Sequence, residues 1–101
     1  MIKFAYGYFD KKLGAFTSPA IGLDVLDPEK TVVQTERAIK FIHDVKHLEK
    51  FDGLQLYFLG EFDDVSGKFI SKLELLIDMD SLIYPLKQLL LNKDDGGTED
   101  D

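Results

Sequence analysis

Two histidines are the first residues whose type and spacing suggest chemistry. His43 and His47 lie four residues apart in a helical pattern, as in the H-E-x-x-H zinc motif, but Asp44 stands where that motif has its catalytic glutamate. The shorter aspartate would misplace a general base, and no third or fourth ligand follows from the spacing. Solvent-facing histidines on a charged helix explain the pair more simply. We therefore predict no metal site and no cofactor.

A group of carboxylates is the second candidate. Glu61, Asp63 and Asp64 lie beside a turn, where they could bind Mg²⁺ or act as general acid and base. A structural role is simpler, because an aspartate at the start of a turn accepts hydrogen bonds from backbone amides. The chain also has no P-loop, no G-x-G-x-x-G motif and no nucleophile elbow. We expect no enzymatic activity and no catalytic residue.

Nucleic-acid binding is the third chemistry that the residue types allow. Phe9 and Tyr57 fall on strand faces opposite the predicted core, where aromatic rings can stack on bases. Four lysines in or near two loops could contact phosphates: Lys11, Lys12, Lys68 and Lys72. The formal net charge is −7, and without the five carboxylates of residues 94–101 the folded part carries −2, which is far from the strongly basic profile of most nucleic-acid-binding proteins. Binding through these residues is therefore expected to be weak and non-specific.

These residues surround two copies of one pattern, F-D-x-x-x-G-x-F, at residues 9–16 and 62–69. Each copy follows an apolar strand and precedes a second strand and then a helical pattern. The turn residues of the two copies are Asp10 and Gly14 in the first, and Asp63, Asp64 and Gly67 in the second. The chain can be read as a ββα unit repeated over residues 1–50 and 54–92. Two unrelated hairpins with the same generic turn chemistry remain an alternative.

Alternating polarity predicts the strands. Ile2, Phe4, Tyr6 and Tyr8 should face the core, and residues 15–21 form a weaker strand that Pro19 ends or places at an edge. Residues 54–77 read as a β-hairpin. Its first strand points four side chains at the core, namely Leu54, Leu56, Phe58 and Phe62.

Capping residues and apolar spacing predict two helices. Asp27 and Pro28 are typical of a helix start, and a helix over residues 28–49 would have an apolar face made of Ala38, Phe41, Ile42, Val45 and Leu48. The second helix covers residues 81–92. Because proline is tolerated only near a helix start, we expect its first turn to begin at Tyr84, with Pro85 in the first helical position.

The expected architecture is one α+β domain over residues 1–93, with a ββαββα order, a four-stranded and mainly antiparallel sheet, and two helices. Residues 94–101 form an acidic tail without apolar residues, which predicts disorder. No apolar run approaches the roughly 20 residues of a membrane helix, and no signal-peptide core is visible, so we expect a soluble cytoplasmic protein.

The number of helices has a consequence for self-association. Two helices leave part of an apolar sheet uncovered, which favours a homo-oligomer, most simply a dimer, or a partner protein. A larger core, or a helix on each face of the sheet, would remove that need.

The two pattern copies resemble a known family. Residues 60–69, GEFDDVSGKF, and the opening block at residues 9–19 are similar to motifs of the small nonstructural DNA-binding protein of microviruses, the gokushovirus-type single-stranded DNA phages. Both blocks occur in the same order with a helix between them, and together they cover most of residues 1–77. The resemblance implies a phage replication accessory protein in the host bacterial cytoplasm. It would bind single-stranded DNA during the switch to single-strand genome synthesis and packaging.

Two further expectations follow from this resemblance. A protein-interaction module that acts on replication or capsid proteins without touching DNA is the alternative function. The acidic tail resembles the tails of bacterial single-stranded DNA-binding proteins, so residues 94–101 could mask the four lysines at low salt. A tail that only increases solubility explains the same composition.

Overall fold

The part of the chain that the structure describes folds as five strands and three helices, and the predicted α+β class is confirmed. The structure, a computed structural model, describes residues 1–17, 20–21 and 27–99, with side chains described for residues 1–17 and 27–92. The elements are β1 (Ile2–Asp10), β2 (Ala15–Phe16), β3 (Ala20–Ile21), α1 (Pro28–Lys40), α2 (Val45–Glu49), β4 (Leu54–Asp63), β5 (Phe69–Asp78) and α3 (Met79–Glu99). Their order roughly follows the predicted ββαββα pattern.

The strands form one antiparallel sheet in the order β2-β1-β4-β5. β3 pairs with β1 on the same edge as β2, so the sheet is four strands wide. The weak strand predicted over residues 15–21 is thus two short strands, and Pro19 lies outside the described residues. Because β1 and β4 pair antiparallel along their whole lengths, the loops that follow them lie at opposite ends of the sheet.

An extra residue in β4 changes which side chains face the core. Ala5 pairs with Gly60 and Tyr6 with Phe58, which leaves Leu59 as a bulge. Gly60 has a φ of +150°, and a Cβ there would overlap the Ile70 carbonyl oxygen, so only glycine fits. After the bulge the alternation is inverted. Phe62 therefore lies on the face opposite Phe58, and its predicted place in the core was wrong.

The core lies between the helices and one half of the sheet. Its main cluster of buried side chains consists of Ile39, Leu48, Leu56, Ile77, Met79 and Ile83, and Ala5 and Phe58 are also buried. Tyr6 and Tyr8 pack against this cluster, as predicted, whereas Ile2 on the same face of β1 is 42% exposed. We call this side of the sheet the helix-side face and the other side the open face.

The helix predicted over residues 28–49 is two helices. α1 ends at Lys40, and the Asp44 carboxylate caps α2 by accepting a hydrogen bond from the Lys46 N–H at 3.0 Å. On one continuous helix, Ile39 and Leu48 would point in opposite directions, since nine residues turn the chain by about two and a half turns. The break lets both side chains reach the core. The predicted apolar face was correspondingly wrong at Ala38 and Phe41, which are exposed.

The last helix begins earlier than predicted. α3 starts at Met79, and Met79 and Ile83 are completely buried, so Pro85 lies inside the helix rather than in its first turn. The helical backbone extends to Glu99, into the segment for which the composition predicts disorder, and side chains from residue 93 onward lie outside the described part. No helix in the described part is long and apolar enough to cross a membrane.

Candidate nucleic-acid interface

Three aromatic rings form a cluster on the open face. The ring centroids of Phe9 and Phe16 are 5.1 Å apart, those of Phe16 and Tyr57 are 5.3 Å apart, and those of Phe9 and Tyr57 are 6.4 Å apart, all edge to face. The neighbouring residues Tyr8 and Leu56 pack in the core, so alternation places this cluster on the opposite side. The structure therefore brings together Phe9 and Tyr57, the two residues predicted to stack on bases.

Phe16 belongs to this cluster, although it was not among the residues predicted to bind nucleic acid. It is the cross-strand partner of Phe9 and is 45% exposed, so its ring is available to a ligand. The signal was present in the sequence, because Phe16 is the last residue of the first F-D-x-x-x-G-x-F copy. A turn that brings the two ends of the pattern together places both rings on one face.

The second pattern copy repeats this arrangement at the other end of the sheet. Phe62 and Phe69 are cross-strand partners, and the bulge in β4 turns both toward the open face. The Phe69 ring lies over the backbone of Gly60, 2.9 Å from where a Cβ would stand. The open face therefore has an aromatic pair at each end, and since Phe62 pairs with Lys3, six residues before Phe9, the two pairs are roughly 20 Å apart.

The two loops share one hydrogen-bonding scheme. In the first loop the Asp10 carboxylate accepts the Lys12 N–H at 2.9 Å, and the Gly14 N–H donates to the Asp10 carbonyl at 2.8 Å. The second loop has the same two bonds, from Val65 N–H to the Asp63 carboxylate at 2.9 Å and from Gly67 N–H to the Asp63 carbonyl at 2.8 Å. Both glycines have positive φ, +66° and +76°.

The second loop contains two aspartates with different roles. The pKa of Asp63 is lowered mainly by the hydrogen bond from the Val65 N–H, and to a smaller extent by the hydrogen bond from the Ser66 hydroxyl. Asp64 instead accepts a hydrogen bond from the Met1 amino group at 2.7 Å, which lowers the pKa of its carboxyl. Glu61 is paired with Lys72 at 3.2 Å. The three carboxylates of the predicted cluster therefore have separate partners: Asp63 in the turn, Asp64 at the N-terminus and Glu61 in an ion pair. Both aspartates are ionised at neutral pH.

The predicted phosphate-binding lysines fall into two groups. The Lys11 ammonium lies 2.8 Å from Asp80 and 3.3 Å from Asp78, and these carboxylates raise its pKa. Lys72 is held by Glu61 on the helix-side face, opposite the aromatic cluster of the open face. The ammonium groups of Lys12 and Lys68 form no ion pair with any described residue. Each lies in one of the two loops, so one lysine without an ion pair to a described residue lies in the loop next to each aromatic pair, although the charge of Lys12 also acts on Asp80.

The histidine pair does not lie on one helix. His43 precedes the Asp44 cap, and His47 is inside α2. Among the residues that the structure describes, no group of three His, Cys, Asp or Glu side chains is arranged to hold a metal ion.

Comparison of the chain with known protein families, with curated proteins and with solved structures found no match in any of the three.

Proposed function

We propose that the chain is a non-catalytic phage replication accessory protein that binds single-stranded DNA weakly and without sequence preference along the open face. The arrangement of the aromatic residues is the observation that carries this proposal. Both pattern copies place their two phenylalanines on the open face, and Tyr57 lies beside one pair. The role in single-strand synthesis and packaging, and the host cytoplasm as location, come from the resemblance to microvirus proteins.

Stacking and charge would contribute differently to this binding. A base stacked on an exposed ring contributes about 1–3 kcal/mol and needs no particular sequence. Lys12 and Lys68 would contact phosphates, whereas Lys11 and Lys72 would first have to leave their carboxylate partners. Because only Lys12 and Lys68 of the four lysines lack an ion pair with a described residue, few counterions would be released, and we expect weak binding with a shallow salt dependence.

A protein-interaction module is the second candidate function. Leu75, the cross-strand partner of Tyr57, is 46% exposed and makes the open face apolar as well as aromatic. Such a surface suits a replication or capsid protein, or a second copy of the chain. Binding of that kind would be insensitive to salt, in contrast to binding of DNA.

Fluorescence anisotropy of a labelled oligothymidylate distinguishes the two functions. We expect saturable binding at micromolar protein, weakened about tenfold by Phe16→Ala, because one stacked base is lost. Replacing both Lys12 and Lys68 by alanine should make the slope of log binding constant against log salt concentration shallower by about 1.4, because two phosphate contacts are lost. A matched control replaces Lys46 and Lys50, exposed lysines of the helical layer, and should leave the affinity unchanged. No binding at about 100 μM protein would overturn the DNA proposal.

A further inference from the structure

Each of the two aromatic pairs on the open face includes a ring that is about half exposed. Phe16 is 45% exposed and Phe69 is 49% exposed, and each is the last residue of its F-D-x-x-x-G-x-F copy. Their cross-strand partners, Phe9 and Phe62, lie on the inner strands β1 and β4. The open face therefore has two similar positions at which a flat, unsaturated ring of a ligand can stack.

The two half-exposed rings lie at diagonally opposite corners of the sheet. β2 and β5 are on opposite edges, and these edges are three strand spacings, roughly 14 Å, apart. Along the strands the two aromatic pairs are roughly 20 Å apart, as the register of β1 and β4 requires. The diagonal between the positions of Phe16 and Phe69 is therefore roughly 25 Å long.

Small residues of β1 lie in the middle of this diagonal. Alternation places Ala5 and Gly7 on the open face between the two aromatic pairs. The cross-strand partner of Ala5 is also small, since Gly60 of β4 lies opposite it. No bulky side chain of β1 therefore stands between the two pairs, and an extended ligand can cross from one pair to the other without displacing a side chain of this strand.

The carboxylates of the long strands are distributed unequally between the two faces of the sheet. The cross-strand registers place four of the five carboxylates of β1, β4 and β5 on the helix-side face, namely Asp10, Glu61, Asp63 and Glu74. The fifth, Asp78, lies at the end of the open face, with its carboxylate 3.3 Å from the Lys11 ammonium. Lys3 is also on the open face, opposite Phe62, and its ammonium is 3.7 Å from Asp64 in the second loop. An anionic ligand is therefore repelled less by the open face than by the helix-side face.

We propose that one single strand of DNA crosses the open face along this diagonal and stacks one base on Phe16 and another on Phe69 at the same time. Resting on the proposed function, this arrangement specifies the ligand as a single-stranded segment long enough to reach both rings. An intact duplex does not fit, because its bases are stacked on one another and cannot reach the rings. Lys12 and Lys68, in the loops next to the two pairs, would contact phosphates at the two ends of the crossing.

The distance between the two rings sets the length of that segment. With the rise of about 3.4 Å per nucleotide that a strand has in DNA, the diagonal of roughly 25 Å corresponds to about seven steps, or about eight nucleotides. A strand of about three nucleotides covers only about 7 Å and reaches one ring at a time. When both rings are reached, the second base stacks in an intramolecular step. The affinity should therefore rise steeply between about three and eight nucleotides and only gradually beyond that length.

Fluorescence anisotropy at low salt tests the crossing with labelled oligothymidylates of about three to twelve nucleotides. On the longest strand, Phe16→Ala and Phe69→Ala should each weaken binding about tenfold, because each removes one of the two stacked bases. Phe69→Leu keeps an apolar side chain over Gly60 and should lose most of the same affinity. If a strand used one ring at a time, either alanine variant would weaken binding by only about twofold, since the other ring would still bind.

Phe41→Ala is the matched control, because Phe41 is 78% exposed at the end of α1, in the helical layer, and its ring should not contribute. Far-ultraviolet circular dichroism checks that every variant is folded. A length series without a steep rise, or a loss of only about twofold for either alanine variant, would overturn the crossing. So would a Phe69→Ala variant that binds like the native chain, although a loss of about tenfold for Phe16→Ala would still support the proposed function. No binding of any strand at about 100 μM protein would overturn both.

Discussion

At the scale of single residues, Asp80 connects three parts of the chain. One carboxylate oxygen accepts the Gly53 N–H at 2.8 Å, and the other lies 2.8 Å from the Lys11 ammonium. Both contacts lower the pKa of Asp80, and the hydrogen bond from Gly53 has the larger effect. The start of α3 is thereby joined to the loop before β4 and to the loop after β1. Lys11, predicted to contact phosphate, is a structural residue in this arrangement.

The Asp80→Asn substitution should destabilise the fold by about 1 kcal/mol or less at pH 7, because the carboxylate is half exposed and charge-assisted hydrogen bonds there are screened. The folded-state pKa lies below the unfolded value near 4. The contribution is therefore fully present above about pH 4 and is lost as the pH falls through the folded pKa. Urea denaturation should show a smaller difference between variant and native chain near pH 3 than at pH 7.

A control for this measurement is Glu49→Gln. Glu49 is exposed and forms no ion pair with a described residue, so its substitution should change the stability little at either pH. An equal loss for Asp80→Asn at both pH values would mean that the charge of Asp80 does not contribute.

At the scale of elements, α3 shows how packing overrides a local preference. Proline in a helix interior removes one backbone hydrogen bond and costs about 3 kcal/mol. Pro85 nevertheless lies inside α3, because the buried Met79 and Ile83 and the contacts of Asp80 hold the preceding turn in place. Pro85 itself is exposed, so its side chain adds little packing in return.

The Pro85→Ala substitution should therefore stabilise the chain by about 1–3 kcal/mol, since the hydrogen bond from residue 85 to the Ser81 carbonyl can then form. Thermal and urea denaturation measure this change. Tyr84→Ala, at a neighbouring exposed position, is the control and should have a small effect. If the helix began at Tyr84, Pro85 would occupy a favourable first position, and alanine there would give no gain.

At the scale of the whole molecule, charge is distributed unevenly along the chain. The formal net charge is −7, and the five carboxylates of residues 94–101 account for most of it, since the remainder would carry −2. Such a segment lowers the affinity for an anionic ligand, either by occupying lysines or by general repulsion. Because Lys11 and Lys72 already have carboxylate partners, any masking would act mainly on Lys12 and Lys68.

Truncation to residues 1–93 should raise the affinity for single-stranded DNA about tenfold at roughly 20 mM salt, and this gain should disappear near 300 mM, where the Debye length is only about 6 Å. Anisotropy titrations at the two salt concentrations provide the comparison. A full-length variant with the five carboxylates replaced by amides separates charge from chain length. The same affinity for truncated and full chains at low salt would dismiss the masking hypothesis.

Local chemistry accounts for the features that the sequence predicted well. The two turns follow from an aspartate and a glycine four residues apart, and the Asp27 cap of α1 accepts the Lys30 N–H at 2.8 Å. These contacts involve residues close together in the chain, so their pattern can be read from residue types. The α+β class follows from the same signals, because strand and helix periods alternate along the chain.

The features that were predicted wrongly depend on contacts between distant residues. The break between α1 and α2 exists because Ile39 and Leu48 both fill one core, and the early start of α3 depends on contacts made by Gly53 and Lys11. The bulge at Leu59 places Phe62 on the open face. Simple alternation of side chains along β4 predicts the opposite face.

The sequence by itself determined the element types, the two turns and the presence of aromatic residues at both motif copies, because these depend on local conformational preference and side-chain alternation. Only the tertiary structure decided which lysines are neutralised, which rings share a face and how far the helices cover the sheet. Those properties depend on strand register and on packing between segments far apart in the chain. A single sequence does not specify them residue by residue.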